Sequence, residues 1–273
     1  MTGGVIPLQR HGVRLLGFSL DLSPIVTRRI ENFRANRRGT ISFYIFSCLF
    51  VLSLFAEVLA NDRPLLVRYD GNLFFPVLIT YPETTFGGTF PTEADYLDPF
   101  VQDLIQENGW AVWPLIPYSY DTIIRDLGRP SPAHPSARNW LGTDDQARDV
   151  LARVIYGFRI SVLFGLLLTF VTSVIGIAAG AVQGYFGGWL DLSFQRFIEV
   201  WSGLPQLYLL IILSSLVIPG FWSLLTLLTL FSWMTLVDVV RAEFLRARNL
   251  DFVRAARALG LRNAKIMFRH ILP

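Results

Sequence analysis

The chain has few of the residues that enzymes use for catalysis or metal binding. Its 273 residues include one cysteine and three histidines. The single cysteine, Cys48, excludes an internal disulfide, and its apolar neighbours are typical of a membrane-buried residue. His11, His134 and His270 lie far apart and lack the spacing of a metal site. The sequence also lacks a carboxylate pair, a nucleophile–base set and a Walker loop, so we predict neither catalysis nor a metal centre.

Charge is scarce over long stretches of the chain. Hydrophobic residues make up 52% and charged residues 16% of the sequence, which is too apolar for an ordinary soluble domain of this length. A helix needs roughly 20 apolar residues to cross a bilayer. We therefore predict an all-α polytopic membrane protein with four transmembrane helices, at residues 41–59, 160–182, 197–217 and 221–240.

The glycines of the second predicted span recur at four-residue intervals. They are Gly176, Gly180 and Gly184. Small residues on one helix face let two backbones approach closely in lipid. The spacing predicts a close contact between this helix and another.

The segments between the spans differ in charge. Residues 1–38 are basic and are predicted to hold an amphipathic elbow helix that begins at Ser23. Residues 61–158 contain 13 acidic residues and 7 arginines, with buried surface expected at Phe74, Phe75, Trp110 and Trp113. Residues 241–273 are again basic. The positive-inside rule places both basic ends in the cytoplasm and the acidic segment outside.

The C-terminal basic segment is predicted to form two short helices. An i, i+3, i+4, i+7 pattern places four apolar side chains on one face of the first helix, namely Phe252, Ala255, Ala256 and Leu259. Gly260 is suited to end that helix in the left-handed conformation, and Asn263 to cap the second. Basic amphipathic helices also occur on solvated surfaces or on membranes, and the pattern alone leaves this open.

The order of residues in this segment resembles the cytoplasmic EAA loop of bacterial ABC importer permeases. The matching positions are Ala255, Ala256, Gly260, Ile266, His270, Leu272 and Pro273. Arg254 stands where the motif has an acidic residue. The resemblance implies that a partner ATPase is coupled through Phe252, Arg254, Ala255, Ala256, Leu259, Gly260, Ile266, His270 and Pro273.

Two further stretches are similar to the OppC/DppC branch of peptide permeases. The first precedes the second span and comprises Leu141, Gly142, Thr143, Asp144, Arg148 and Asp149, with Ala147 in place of the usual glycine. The second runs from Glu199 to Pro205 and resembles the entry of the third helix in peptide permeases. Pro205 is expected to kink this helix. Ser202, Pro205 and Gln206 are candidates to line the translocation path, although lone polar groups in spans often bond a neighbouring helix. The long external loop most resembles that of Yej-type importers of peptides and microcin C.

The resemblance implies a multi-pass permease subunit of the bacterial inner membrane that imports peptides from the periplasm by alternating access. The implied partners are a second permease, ABC ATPase subunits, a periplasmic peptide-binding protein and the lipid bilayer, with no nucleic acid. ATP and Mg would be bound by the ATPase, and this chain would hold no cofactor. Members of the family have six spans, so two more are expected beyond Pro273 and the chain is expected to be truncated.

Other functions remain open at this point. The cargo could be a dipeptide, a nickel chelate or another small solute, since importers share the coupling segment. A membrane-anchored periplasmic receptor would need only one span and would have no use for the paired helices. An ion channel is disfavoured, because the spans carry no ring-forming pattern of charge.

Overall fold

The chain is described here by a computed structural model that covers residues 24–272 and the backbone of two short paired strands before them. These strands are β1 (Val13–Leu15) and β2 (Phe18–Leu20), which run antiparallel. Helices predominate, as the sequence predicts. The chain divides into two compact units, residues 1–159 and 160–273. Ser23 and Pro273 lie outside the described residues.

Three consecutive helices follow the two strands. They are α1 (Pro24–Ala35), α2 (Arg37–Leu54) and α3 (Ala56–Leu59). The side chain of Asn36 caps α2 by accepting a hydrogen bond from the amide of Gly39 at 3.2 Å. Helix α2 is long and apolar enough to cross a membrane. It begins four residues before the predicted span at residue 41.

The segment after α3 folds around a small sheet that hydropathy does not predict. Its elements are β3 (Leu66–Tyr69), β4 (Asn72–Phe74), a 3-10 turn (Glu83–Phe86), α4 (Pro99–Asn108) and β5 (Gly109–Val112). The strands are antiparallel in the order β4-β3-β5. The sheet and α4 enclose a core formed by Val67, Phe86, Ala94, Tyr96, Val101 and Ile105.

Two of the four aromatic residues predicted to be buried in this segment do pack against the core. These are Phe74 and Trp113. The prediction was wrong for Phe75 and Trp110, which are 45% and 44% exposed. Successive side chains of a strand point to opposite faces of the sheet, and in β5 Ala111 takes the core side, so Trp110 next to it points away.

A 37-residue helix, α5 (Val150–Phe186), follows and contains the predicted second span. The second unit continues with α6 (Gly188–Ser202), α7 (Gln206–Leu216), α8 (Phe221–Ser232) and α9 (Met234–Ala247). The chain bends by 78° between α6 and α7 and by 42° between α8 and α9. Among the described residues, two single helices, α2 and α5, are apolar and long enough to cross a membrane, and the number rises to four if each bent pair counts as one span.

The glycine face of α5 lies directly against α9. A Cβ atom added at Gly176 would lie 2.7 Å from the carbonyl oxygen of Trp233, and one added at Gly180 would lie 2.7 Å from that of Val237. Real Cβ contacts are longer than this. The predicted close contact between two helices is therefore confirmed. It is possible because glycine has no side chain at these positions.

Candidate coupling segment

The first helix of the C-terminal segment, α10 (Asp251–Ala258), packs on the ends of two longer helices. Its inward side chains, Val253 and Ala256, are buried. They share a hydrophobic cluster with Phe244 of α9 and Tyr185 of α5. Apolar burial of this kind fixes the helix against the bundle even though it is only eight residues long.

Gly260 ends this helix in the predicted left-handed conformation, with φ of +75°. The amide of Gly260 donates to the carbonyl of Arg257 at 3.0 Å, and the amide of Leu261 donates to that of Ala256 at 3.2 Å. Among the described residues, no atom beyond the neighbouring residues lies within 4 Å of a Cβ added at Gly260. The backbone conformation, and not a lack of space, is what favours glycine here.

The second short helix starts at Asn263, so the predicted capping role of this residue was wrong. Arg262 is the residue before the helix, and its side chain forms no capping hydrogen bond. Asn263 instead accepts a hydrogen bond from the hydroxyl of Tyr185 at 2.8 Å. Helix α11 (Asn263–Ile266) then continues as a π-helical turn (Met267–Ile271), in which the helix is locally wider than an α-helix.

Tyr185 connects both short helices to the end of α5. In addition to its bond with Asn263, its ring lies under the guanidinium of Arg257, 5.3 Å from the ring centroid. A cation over an aromatic face is attracted by the ring electrons. A displacement of the two short helices would therefore act on the end of α5 through this side chain as well as through the hydrophobic cluster.

The outward face of α10 is apolar and uncovered in this chain. Phe252 is 51% exposed and Leu259 is 82% exposed, and Ala255 between them is also exposed. The prediction that Ala256 shares this face was wrong, because it lies on the buried side with Val253. Exposed side chains of this size together on one short helix are typical of a contact surface.

The remaining residues assigned to coupling lie around this helix. Arg254 and His270 are exposed, whereas Ile266 is fully buried beneath the segment. Pro273 lies outside the described residues. Within the described part of the chain, the exposed residues of the set assigned to coupling are therefore Phe252, Arg254, Ala255, Leu259, Gly260 and His270.

An ion pair stabilises the helices beneath the coupling segment. The guanidinium of Arg241 in α9 donates two hydrogen bonds to the carboxylate of Asp191 in α6, at 2.5 and 2.7 Å. Both side chains are mostly buried. A two-point contact of this kind fixes orientation as well as distance, so α6 and α9 are held in one arrangement.

Comparison with known proteins identifies the group to which the chain belongs. Residues 172–273 match the family described as binding-protein-dependent transport system inner membrane component. The inner membrane ABC transporter permease protein YejE of Escherichia coli K12 is 55% identical over 252 residues, covering 92% of this chain and 74% of the relative. The peptidoglycan transport system permease protein YejE of Agrobacterium fabrum C58 is 52% identical over 275 residues, covering 92% and 72%.

The chain belongs to this permease family. A more distant relative, the dipeptide transport system permease protein DppC of Bacillus subtilis 168, is 37% identical over 139 residues, which cover 51% of this chain and 43% of the relative. The family match includes the entire coupling segment and the last part of α5. The predicted resemblance to Yej-type permeases is confirmed.

The motif at residues 141–149 forms the turn that starts α5. Asp144 accepts hydrogen bonds from the backbone amide and the side chain of Arg148, both at 2.9 Å. Asp149 is almost fully buried and accepts from the amide of Ala152 and the side-chain amide of Asn139, both at 2.8 Å. These contacts give the motif a structural role at the helix start.

Two other motif residues fix the same turn. Gly142 has a φ of +76°, and a Cβ added there would lie 2.4 Å from the carbonyl oxygen of Ala133. The hydroxyl of Thr143 accepts from the amide of Ala133 at 3.0 Å. Leu141, by contrast, is 51% exposed.

The candidates for the translocation path lie together at the break between α6 and α7. Ser202 is the last residue of α6 and donates from its hydroxyl to the carbonyl of Glu199 at 3.3 Å. Pro205 immediately precedes α7, and Gln206 is its first residue. All three are exposed. The expected bend at Pro205 is present, and it is large enough to interrupt the helix.

Sequence reasoning missed the residues that hold the coupling segment in place. Tyr185, Val253, Asp191 and Arg241 were not singled out, although each makes a contact described above. The sequence did contain a signal for Asp191 and Arg241. They are opposite charges close to predicted membrane spans, and charges in such places require partners. Tyr185 gave no comparable signal, since its partner is 78 residues away.

Proposed function

We propose that this permease imports peptides from the periplasm into the cytoplasm as one half of an ATP-driven transporter. The apolar outward face of α10, on a segment that matches the EAA loop, is the main observation in support. The names of the relatives agree with this cargo class: one is a dipeptide permease and another is a peptidoglycan permease. The partners would be a second permease, ABC ATPases that bind ATP and Mg, and a periplasmic peptide-binding protein.

The proposed topology has the N-terminus and the coupling segment in the cytoplasm and residues 61–158 in the periplasm. The charge bias of these segments supports it. The contact between α5 and α9 supports it as well. Successive glycines of α5 meet successive turns of α9 in the same order along the chain, so the two helices run in the same direction. The second and fourth spans of the proposed topology must do so, because one further span lies between them.

Cysteine labelling tests the topology directly. In a variant with Cys48→Ala, a cysteine introduced by L78C or by L259C would be exposed, since Leu78 and Leu259 are 80% and 82% exposed. We expect a membrane-impermeant maleimide to label L78C in intact spheroplasts and L259C only after permeabilisation. Labelling of L259C in intact spheroplasts would contradict the topology.

In the proposed mechanism, α10 lies in a groove on the ATPase through Phe252, Ala255 and Leu259. An amphipathic helix in a hydrophobic groove is a common mode of recognition. Closure of the ATPases on ATP would move α10 and α11 together, because both contact Tyr185. That movement would shift α5, and the close contact of α5 with α9 would carry the shift to the rest of the spans.

Uptake of labelled peptide tests the function itself. Cells without their own peptide importers would express this permease together with its second permease, ATPase and binding protein. We expect ATP-dependent uptake of a tripeptide and its loss on Leu259→Glu. The competitors to be compared are dipeptides, peptidoglycan peptides, nickel chelates and microcin C. If only nickel chelates competed, the cargo would be a nickel chelate and not a peptide. Import of no solute with intact assembly would overturn the proposal.

A further inference from the structure

The external segment of the first unit contains a cleft of about 880 Å³. Three parts of the segment line it: residues 62–63, residues 93–102, and residues 118–126 together with Arg138. Its volume lies within the range of sites that hold small ligands. The cleft contains none of the residues assigned above to coupling or to the translocation path.

The charge along this cleft is mainly negative. It is lined by six carboxylates and three arginines. Arg63 pairs with Glu93, and Arg138 pairs with Asp126 at 2.8 Å. Asp62, Asp95, Asp98 and Asp121 form no ion pair within the described part of the chain. Four carboxylates thus remain against one arginine, Arg125, which favours a cation in the cleft.

A buried hydroxyl in the cleft wall has no partner. Tyr96 is only 3% exposed, and its ring packs edge-on against Phe86. Its hydroxyl forms no hydrogen bond among the described residues. Burial raises the pKa of Tyr96, and the nearby charges of Arg63 and Glu93 also act on it. Tyr96, Arg63 and Glu93 all line the cleft.

A buried polar group without a hydrogen bond is unfavourable for the folded protein. Most such groups in folded proteins are paired, and an exception calls for a missing partner such as a ligand. The Tyr96 hydroxyl is therefore an observation that points to a ligand, separately from the carboxylates.

The spread of the carboxylates favours an organic cation over a metal ion. Within the described residues, no three Asp, Glu, His or Cys side chains come close enough to hold a metal. Asp95 and Asp98 each use one oxygen to accept a backbone amide, at 3.0 and 2.9 Å. A carboxylate has further acceptor positions, so these residues can still bind ligand N–H groups.

We propose that this cleft binds the basic side chains of peptides, as guanidinium or ammonium groups. Asp95 and Asp121 balance the charge of the ligand, and the hydroxyl oxygen of Tyr96 accepts a hydrogen bond from one of its N–H groups. The inference extends the proposed function by naming basic peptides as a favoured class of cargo. It rests on the proposed function only in treating the bound peptide as cargo. The binding of peptides to the cleft requires neither transport nor a particular topology.

Calorimetry on the full chain in lipid nanodiscs tests the proposal. The probe is acetyl-Arg-Arg-amide, and acetyl-Gln-Gln-amide is its neutral counterpart. We expect the arginine probe alone to bind, and Asp95→Asn with Asp121→Asn to weaken its binding at least tenfold. The matched control is Asp103→Asn with Glu107→Gln, which removes the same charge from α4 outside the cleft and should leave binding within twofold.

Tyr96→Phe tests the hydroxyl separately. It removes an unpaired polar group, so we expect the midpoint of thermal unfolding to stay the same or to rise while the arginine probe binds several-fold more weakly. Equal weakening by the cleft and control pairs, or equal binding of both probes, would overturn the proposal. The proposal would also be overturned if the wild-type chain bound neither dipeptide probe but bound the purified periplasmic binding protein, and if Asp95→Asn with Asp121→Asn abolished that binding. The cleft would then be a docking surface for a protein. Loss of transport with intact probe binding would count against the proposed function alone.

Discussion

The hydroxyl of Tyr185, near the end of α5, donates a hydrogen bond to the side-chain oxygen of Asn263, the first residue of α11. This bond spans 2.8 Å and joins a membrane helix to the coupling segment. The same tyrosine ring contacts Arg257 of α10. In the proposed mechanism, this residue transmits the movement of the ATPase to the spans.

Tyr185→Phe removes that hydrogen bond and keeps the ring that contacts Arg257. A net hydrogen bond is worth about 1 kcal/mol, so the chain should still fold and bind the ATPase. We expect fewer peptides imported per ATP hydrolysed, because α11 loses its hydrogen bond to α5 and is held there by hydrophobic packing alone. The measurement is uptake and hydrolysis in the same proteoliposomes. Tyr208→Phe, at an exposed tyrosine in α7, serves as the control, and an unchanged ratio in Tyr185→Phe would argue against this role.

Ala255 and Ala256 are neighbours with opposite environments, which makes them a matched pair. Ala256→Glu places a charge in the cluster with Val253 and should destabilise the segment by about 3 kcal/mol or more. Ala255→Glu places the same charge on the exposed face and should change stability by about 0.5 kcal/mol at most. Limited proteolysis and thermal unfolding distinguish the two. Both variants should lose ATPase binding, but only Ala256→Glu should lose protection from protease.

Gly180→Ala should force α5 and α9 apart. The added Cβ would lie 2.7 Å from the carbonyl oxygen of Val237, so the backbone must move. Overpacking of this kind costs about 1–3 kcal/mol. Gly165→Ala in the same helix is the control, because no neighbouring side chain or helix among the described residues comes within 4 Å of its Cβ. A lower midpoint of thermal unfolding in detergent is expected for Gly180→Ala alone, and equal midpoints for the two variants would contradict the packing account.

Acid should weaken the turn at the start of α5. Burial alone would raise the pKa of the Asp144 carboxyl, but hydrogen bonds from Arg148 and from the amide of Gln146 lower it below its ordinary value of 3.8. A group with a lowered folded pKa stabilises the protein above its unfolded pKa, and this contribution disappears as pH falls through the folded value. The stability difference between the wild type and Asp144→Asn should be constant well above pH 3.8 and shrink below it. Thermal unfolding across pH measures it, and a difference that grows in acid would contradict this account.

Local sequence patterns were sufficient to predict the elements with regular periodicity or special backbone requirements. The apolar runs predicted a helical membrane protein, the glycines of α5 predicted its contact with α9, and Gly260 predicted the end of α10. Each of these depends on residues close together in the chain.

Features that depend on distant residues could not be predicted. Ala256 lies at the edge of the apolar stripe of α10, and its burial depends on residues of other helices in the same cluster, such as Tyr185 and Phe244. Asn263 has the chemistry of a helix cap, but Tyr185 provides a partner from another helix. The small sheet of the first unit likewise pairs β3 with β5, which lie about 40 residues apart in the chain with α4 between them.

Recovery of the ATPase with this permease tests the central claim most directly. The tagged chain would be purified from detergent with its second permease and ATPase co-expressed, as wild type, Leu259→Glu and Leu78→Glu. Leu78 is as exposed as Leu259 but lies in the segment proposed to be periplasmic. If α10 binds the ATPase through its outward face, Leu259→Glu should reduce the recovered ATPase at least tenfold, and Leu78→Glu should recover it as the wild type does. Full recovery with Leu259→Glu would contradict the claim that this face couples the permease to ATP.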